Sequence, residues 1–103
     1  MSVVVVATLT PLPGKLQSIL DAFALVAPTV HDEPGCELYA AHRSANHVVI
    51  IERWSDPADL AAHAVGTPMT QLNALLRGLQ AEPTDVTVLE NVPFGDPAKG
   101  TIQ

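Results

Sequence analysis

Residues Cys36 to Trp54 read CELYAAHRSANHVVIIERW: two runs rich in β-branched, aromatic and apolar side chains, CELYAAHR and HVVIIERW, flank the polar tripeptide SAN. Two such runs across so short a polar break form an antiparallel hairpin. A three-residue loop with Asn46 in the left-handed conformation is a common way to close one, since Asn tolerates positive φ better than most residues. That loop pairs Arg43 with His47. It places Cys36, Leu38, Ala40 and His42 on one face with Val48, Ile50, Glu52 and Trp54, and leaves Glu37, Tyr39, Arg43, Val49, Ile51 and Arg53 on the other. A two-residue loop exchanges one strand's partners, because side chains alternate with a period of two.

Working outward, SDPADL after Trp54 starts a helix, with Asp56 as N-cap, Pro57 at the first helical position and Asp59 in the first turn. Gly66 ends this short helix, Thr67 and Pro68 open another, and Met69, Leu72, Leu75, Leu76 and Leu79 give the second a buried stripe. Upstream, Leu16, Ile19, Leu20, Phe23, Val26, Ala27 and Val30 recur at helical spacing, so Lys15 to His31 reads as an amphipathic helix, kinked at Pro28 and ended by EPG at 33 to 35. VVVVATL, Val3 to Leu9, is apolar without alternation, the mark of a strand covered on both faces. DVTVLENV, Asp85 to Val92, is the last strand.

The order β, α, β, β, α(α), β is the split βαβ pattern of an α+β ferredoxin-like sandwich, a four-stranded antiparallel sheet with helices on one face. With 103 residues there is material for one domain, expected over 1–92, followed by a Pro- and Gly-rich tail at 93–103. One sheet face then lacks cover, although the first strand is apolar on both sides. A homodimer, sheet against sheet, supplies it.

Composition narrows the partners. A net charge of -6, with five Lys and Arg in total and no basic run, excludes the electrostatic footprint of a nucleic-acid or anionic-membrane binder. No apolar run approaches the roughly 18 residues of a membrane span. A single cysteine, Cys36, forms no internal disulfide, and no basic segment with a cleavable apolar run opens the chain, so a cytoplasmic location is expected. The four histidines and the cysteine lack close zinc-type spacing, so no metal site is expected, and HDE at 31 to 33 reads as a solvated helix end.

The candidate chemistry gathers around His63. Six residues of helix from Pro57 advance about 9 Å, and a strand covers that distance in about three residues, so a helix folded back on the sheet carries His63 over Ile51 and Glu52, close to Trp54. Taken singly, Trp54 is a core aromatic and His63 a satisfied helix histidine. Together they form a pocket between sheet and helices, lined by Phe23, Ile50, Leu60, Met69 and Leu72, that holds an imidazole, an indole, a carboxylate and a second imidazole from His42. A buried carboxylate is costly unless partnered, and one that orients a histidine raises its basicity.

PTVHDEPGCELY at 28 to 39 together with VIIERWSDPADLAAHAVGTPM at 49 to 69 resembles the antibiotic-biosynthesis monooxygenase family, most closely its small quinol monooxygenases. The resemblance runs from about Val3 to Val92. It implies a dimeric α+β barrel of ferredoxin-like subunits that oxidises electron-rich phenols, quinols or anthrones with dioxygen and needs no metal or flavin. Glu52, Trp54 and His63 stand at the motif positions as the catalytic candidates. His42, Ile50, Leu60, Met69, Leu72 and Phe23 are the candidates for binding a small aromatic substrate. Ile50, Leu60 and Ala74 stand where the anthrone-oxidising branch carries asparagine, tyrosine and arginine. Ala7 and the histidine-free run from Met69 to Gln80 depart from the haem-degrading branch. Two rival functions share the fold: a non-catalytic dimer that binds a small metabolite, and an isomerase of one, although no basic cluster suits the phosphorylated sugar of the family's isomerase.

Overall fold

The computed structural model describes residues 1–103. Strands β1 (Val3–Leu9), β2 (Cys36–Arg43), β3 (Val48–Trp54) and β4 (Asp85–Leu89) form one antiparallel sheet in the order β2-β3-β1-β4. Helices α1 (Leu16–His31), α2 (Pro57–Ala64) and α3 (Thr67–Leu76) lie on one face, as in a ferredoxin-like sandwich. Helix α1 runs through Pro28 to His31, and β4 stops at Leu89, three residues short of the expected strand end.

The hairpin register differs from the expected one by a residue. Arg43 pairs with Val48, so the loop is the four residues Ser44 to His47. Asn46 is not left-handed, and no residue other than glycine has positive φ. The loop closes differently: Ser44 Oγ accepts from the backbone N–H of Asn46 at 3.4 Å and of His47 at 3.1 Å, and the Ser44 N–H donates to the His47 carbonyl at 3.0 Å. A serine that satisfies the turn's own amides removes the need for a positive φ. The slip turns β2 over. Tyr39 now faces inward opposite Glu52, and Ala41 opposite Ile50, while His42 pairs with Val49 on the face away from the helices and is exposed. An irregularity between Cys36 and Leu38 absorbs one residue and returns Cys36 to a position opposite Trp54.

The helix-covered face carries the core. Val5, Ala7 and Leu9 from β1 and Val48, Ile50 and Trp54 from β3 pack against Ile19, Phe23, Val26 and Val30 of α1 and Leu72 and Leu76 of α3. On the opposite face the tail covers one end of the sheet. Arg53 Nη1 donates to the Ile102 carbonyl at 2.6 Å, Asn91 exchanges two hydrogen bonds with the Ile102 backbone, and Val4, on that face, is buried. Beyond it Val6, Thr8, Val49 and Ile51 remain only half-buried.

Two contacts set the chain entering α2 against the turn after α1. The Ser55 N–H donates to the Gly35 carbonyl at 2.8 Å, and Gly35 has a φ of 78°. A Cβ at Gly35 would also run into the Asp59 carboxylate, so this position combines a left-handed backbone with a close approach that only glycine permits.

Candidate functional site

Helix α2 is built to present His63. Asp56 Oδ1 accepts the Asp59 N–H at 3.0 Å and Pro57 occupies the first turn, so the start of the helix is pinned where β3 ends. His63 falls in the last turn and is the one buried residue of this helix. Its ring stacks on Trp54, with centroids 4.5 Å apart and planes 28° apart. Trp54 is wholly buried and donates from Nε1 to Glu52 Oε1 at 2.9 Å, while the same carboxylate oxygen stands 3.9 Å from His63 Nε2. His63, Glu52 and Trp54, 11 residues apart at most in the chain, therefore form one contiguous group.

Two further side chains complete it. Glu33, from the turn after α1, places Oε1 2.7 Å from His63 Nδ1. Glu33 is thus a partner of the site, and the reading of HDE as a solvated helix end fails for its third residue. Tyr39 meets the imidazole edge-on, with centroids 5.8 Å apart. Sequence reasoning missed both. Tyr39 sat on the wrong side of an ambiguous register, and Glu33 is 30 residues from its partner, with its place in the EPG turn the one available signal.

His63, Glu52 and Tyr39 open onto a cavity of about 230 Å³. Phe23, Leu60, Met69 and Leu72 line it as expected, with Val5, Ala7, Leu9, Ala64 and Leu76. Asn73, Thr84 and Val86 form its remaining wall. Two expected residues lie elsewhere. His42 is on the opposite sheet face, and Ile50 lines a separate, smaller apolar pocket with Leu20, Phe23, Ala27, Tyr39 and Ala41. Trp54 does not reach the cavity at all; its ring backs the imidazole rather than offering a face to a ligand.

No fully buried side-chain nitrogen or oxygen lacks a hydrogen-bond partner. His63 Nε2 makes no hydrogen bond, its nearest carboxylate being 3.9 Å away, so this nitrogen is open to the cavity. Burial pushes the Glu52 carboxyl above the ordinary carboxylate range; the Trp54 N–H and the His63 imidazole oppose this rise, and Glu33 adds to it. Burial, followed by the charges of Glu52 and Glu33, holds the Tyr39 phenol far above its usual value, so Tyr39 remains an O–H donor. Burial likewise raises the Cys36 thiol, which disfavours a thiolate nucleophile there.

The wall carries no Lys or Arg, so an anionic ligand would enter without a counter-charge. No group of three or more His, Cys, Asp and Glu side chains is placed to hold a metal ion, and no helix is long and apolar enough to cross a membrane. What the arrangement can do is accept a proton at Nε2 from a neutral, largely apolar molecule.

Comparison with known proteins places the chain in a family. The family described as Antibiotic biosynthesis monooxygenase matches residues 2–74. The Probable quinol monooxygenase YgiN of Escherichia coli K12 is 31% identical over 87 residues, covering 72% of this chain and 84% of that protein. Among solved structures, Rv0793 from Mycobacterium tuberculosis superimposes with a TM-score of 0.82 at 24% identity, covering 94% of this chain and 99% of its own. PA3566 from Pseudomonas aeruginosa does so with a TM-score of 0.80 at 20% identity, covering 88% and 94%. These two likenesses carry the fold, and the first two matches carry a monooxygenase-type function at the level of the family. On a family match spanning most of the chain and a relative above 30% identity, the chain belongs to the antibiotic biosynthesis monooxygenase family.

Proposed function

We propose that the protein oxidises a small, neutral, electron-rich aromatic of the hydroquinone class with dioxygen, without metal or flavin, using His63 as general base. The observation that carries this reading is an imidazole nitrogen with no hydrogen-bond partner, facing an apolar cavity beside a buried carboxyl. His63 Nε2 takes the phenolic proton, and the resulting anion is rich enough in electrons to reduce dioxygen by one electron. Recombination of the semiquinone with superoxide gives a ring peroxide anion, the proton held on His63 Nε2 returns to it as the hydroperoxide, and loss of water leaves a hydroxylated quinone. The sum is hydroquinone plus dioxygen to hydroxyquinone plus water. An apolar wall favours the delocalised aromatic anion over a localised one. Its size is consistent with one or two rings, since cavities of about 150 Å³ hold benzene. The likeness to YgiN, a probable quinol monooxygenase, supports the same class.

Dioxygen consumption with a panel of one- and two-ring hydroquinones tests the proposal. Uptake stoichiometric with hydroxyquinone formation is the expected result. Tight binding of the same compounds with no uptake above the spontaneous rate would instead make the protein a binding module.

The proposal extends to a homodimer acting in the cytoplasm, with a second copy seated on the half-buried valines and isoleucine of the open sheet face, where the tail covers only one end. A monomer at micromolar concentration in sedimentation equilibrium would remove the second copy.

A further inference from the structure

We propose that Glu33 is a positioning residue that fixes the tautomer of His63, holding the proton on Nδ1 so that Nε2 meets the cavity as a bare acceptor. The proposal rests on His63 acting as a base, as argued above, but its structural part stands without any turnover. A carboxylate accepts and does not donate, so a 2.7 Å contact between Glu33 Oε1 and His63 Nδ1 requires the proton on Nδ1. In a neutral imidazole that leaves the lone pair on Nε2. Without Glu33, the only carboxylate near the ring is Glu52, 3.9 Å from Nε2. That geometry favours the opposite tautomer, in which Nε2 carries the proton toward Glu52 and nothing in the cavity can be deprotonated. The two acids thus compete for one imidazole proton, and the shorter contact decides.

Several features hold Glu33 in place. Its backbone N–H donates to the Val30 carbonyl at 3.0 Å, and its carbonyl accepts from the Cys36 N–H at 3.2 Å, so the turn is anchored at both ends. The turn between α2 and α3 leaves room for the carboxylate: a Cβ at Gly66 would lie 3.1 Å from Glu33 Oε2. Gly66 has φ -79°, which alanine adopts freely, but the same Cβ would also lie 3.3 Å from the Ala62 carbonyl and 3.4 Å from the His63 carbonyl. The missing side chain therefore leaves space both for the last turn of α2 and for the Glu33 carboxylate that reaches His63.

The test is ¹⁵N NMR of the His63 ring in the full chain, together with steady-state oxidation of a hydroquinone. Wild type is expected to show a protonated Nδ1 and a bare Nε2. Glu33→Ala should move the proton to Nε2, wholly or in part, and lower kcat about 10- to 100-fold, the range found when a metal-bound histidine loses its carboxylate partner, with KM unchanged. Glu33→Gln, whose amide oxygen accepts from Nδ1–H, should restore the wild-type tautomer and most of kcat. Glu33→Asp keeps the carboxylate but draws it back by one methylene and should shift the Nδ1–H resonance upfield as the contact lengthens; it serves if Glu33→Ala does not fold. An identical ring spectrum in wild type, Glu33→Ala and Glu33→Asp overturns the proposal, as does a change confined to KM. If the spectra change as expected while even wild type oxidises no hydroquinone, the oxidation reading falls and the role of Glu33 in setting the tautomer stands.

Discussion

Replacing His63 with alanine is expected to slow hydroquinone oxidation by about 10²- to 10⁴-fold, the usual contribution of a general base, or about 3 to 5 kcal/mol of transition-state stabilisation. The effect should fall on kcat, because the apolar wall that binds the ring is left in place and only the proton acceptor at Nε2 is lost. The chain should still fold, since the core cluster on the sheet is assembled from other residues. His63→Ala does leave the Trp54 face without its stacking partner, so far-ultraviolet circular dichroism and a urea midpoint belong beside the kinetics. An unchanged rate in a folded His63→Ala protein removes this side chain from the chemistry.

The second large effect is on stability and depends on pH. Trp54→Phe is expected to destabilise the fold by about 1–3 kcal/mol from the unpartnered acceptor alone, with more from the volume lost at a wholly buried site. The indole N–H is the sole hydrogen-bond donor to the Glu52 side chain. Glu52 has a folded-state pKa raised chiefly by burial, so the folded state holds the proton more tightly than the unfolded chain does. Its contribution is therefore most favourable below the ordinary carboxylate range and is lost as pH rises through the raised value. The Trp54 N–H opposes that rise by stabilising the ionised form. Removing it makes the loss steeper, so the gap between wild type and Trp54→Phe should widen from acid toward neutral pH. Urea midpoints across that range measure it. Glu52→Gln in the Trp54→Phe background should flatten the dependence, and a gap that is constant with pH would show that Glu52 does not sense the indole.

Much of the site was legible in the chain, because its parts are local. Glu52, Trp54 and His63 are separated by one strand end and two turns of helix, and Asp56, Pro57 and Gly66 mark that helix at both ends. Rise per residue alone then brings the imidazole over the strand. The same reasoning placed Phe23, Leu60, Met69 and Leu72 at the cavity, because a helical stripe has one face to bury. It failed at His42 and Tyr39 for a definite reason. Shifting the hairpin by one residue exchanges Leu38, Ala40 and His42 for Tyr39, Ala41 and Arg43 on the inner face, two apolar residues and one polar residue in each set. Period-two alternation cannot choose between them; the closing hydrogen bonds of Ser44 do.

By itself, the sequence determined the order of elements, the face each helix buries and the nearness of His63 to Trp54 and Glu52, since all of these follow from periodicity and short chain separations. Only the tertiary structure decided which β2 residues enter the cavity, that Trp54 backs the imidazole instead of facing a ligand, and that Glu33 reaches His63 across 30 residues. Those outcomes depend on loop closure and on which buried polar groups find partners, and both are settled by three-dimensional geometry after the elements have packed.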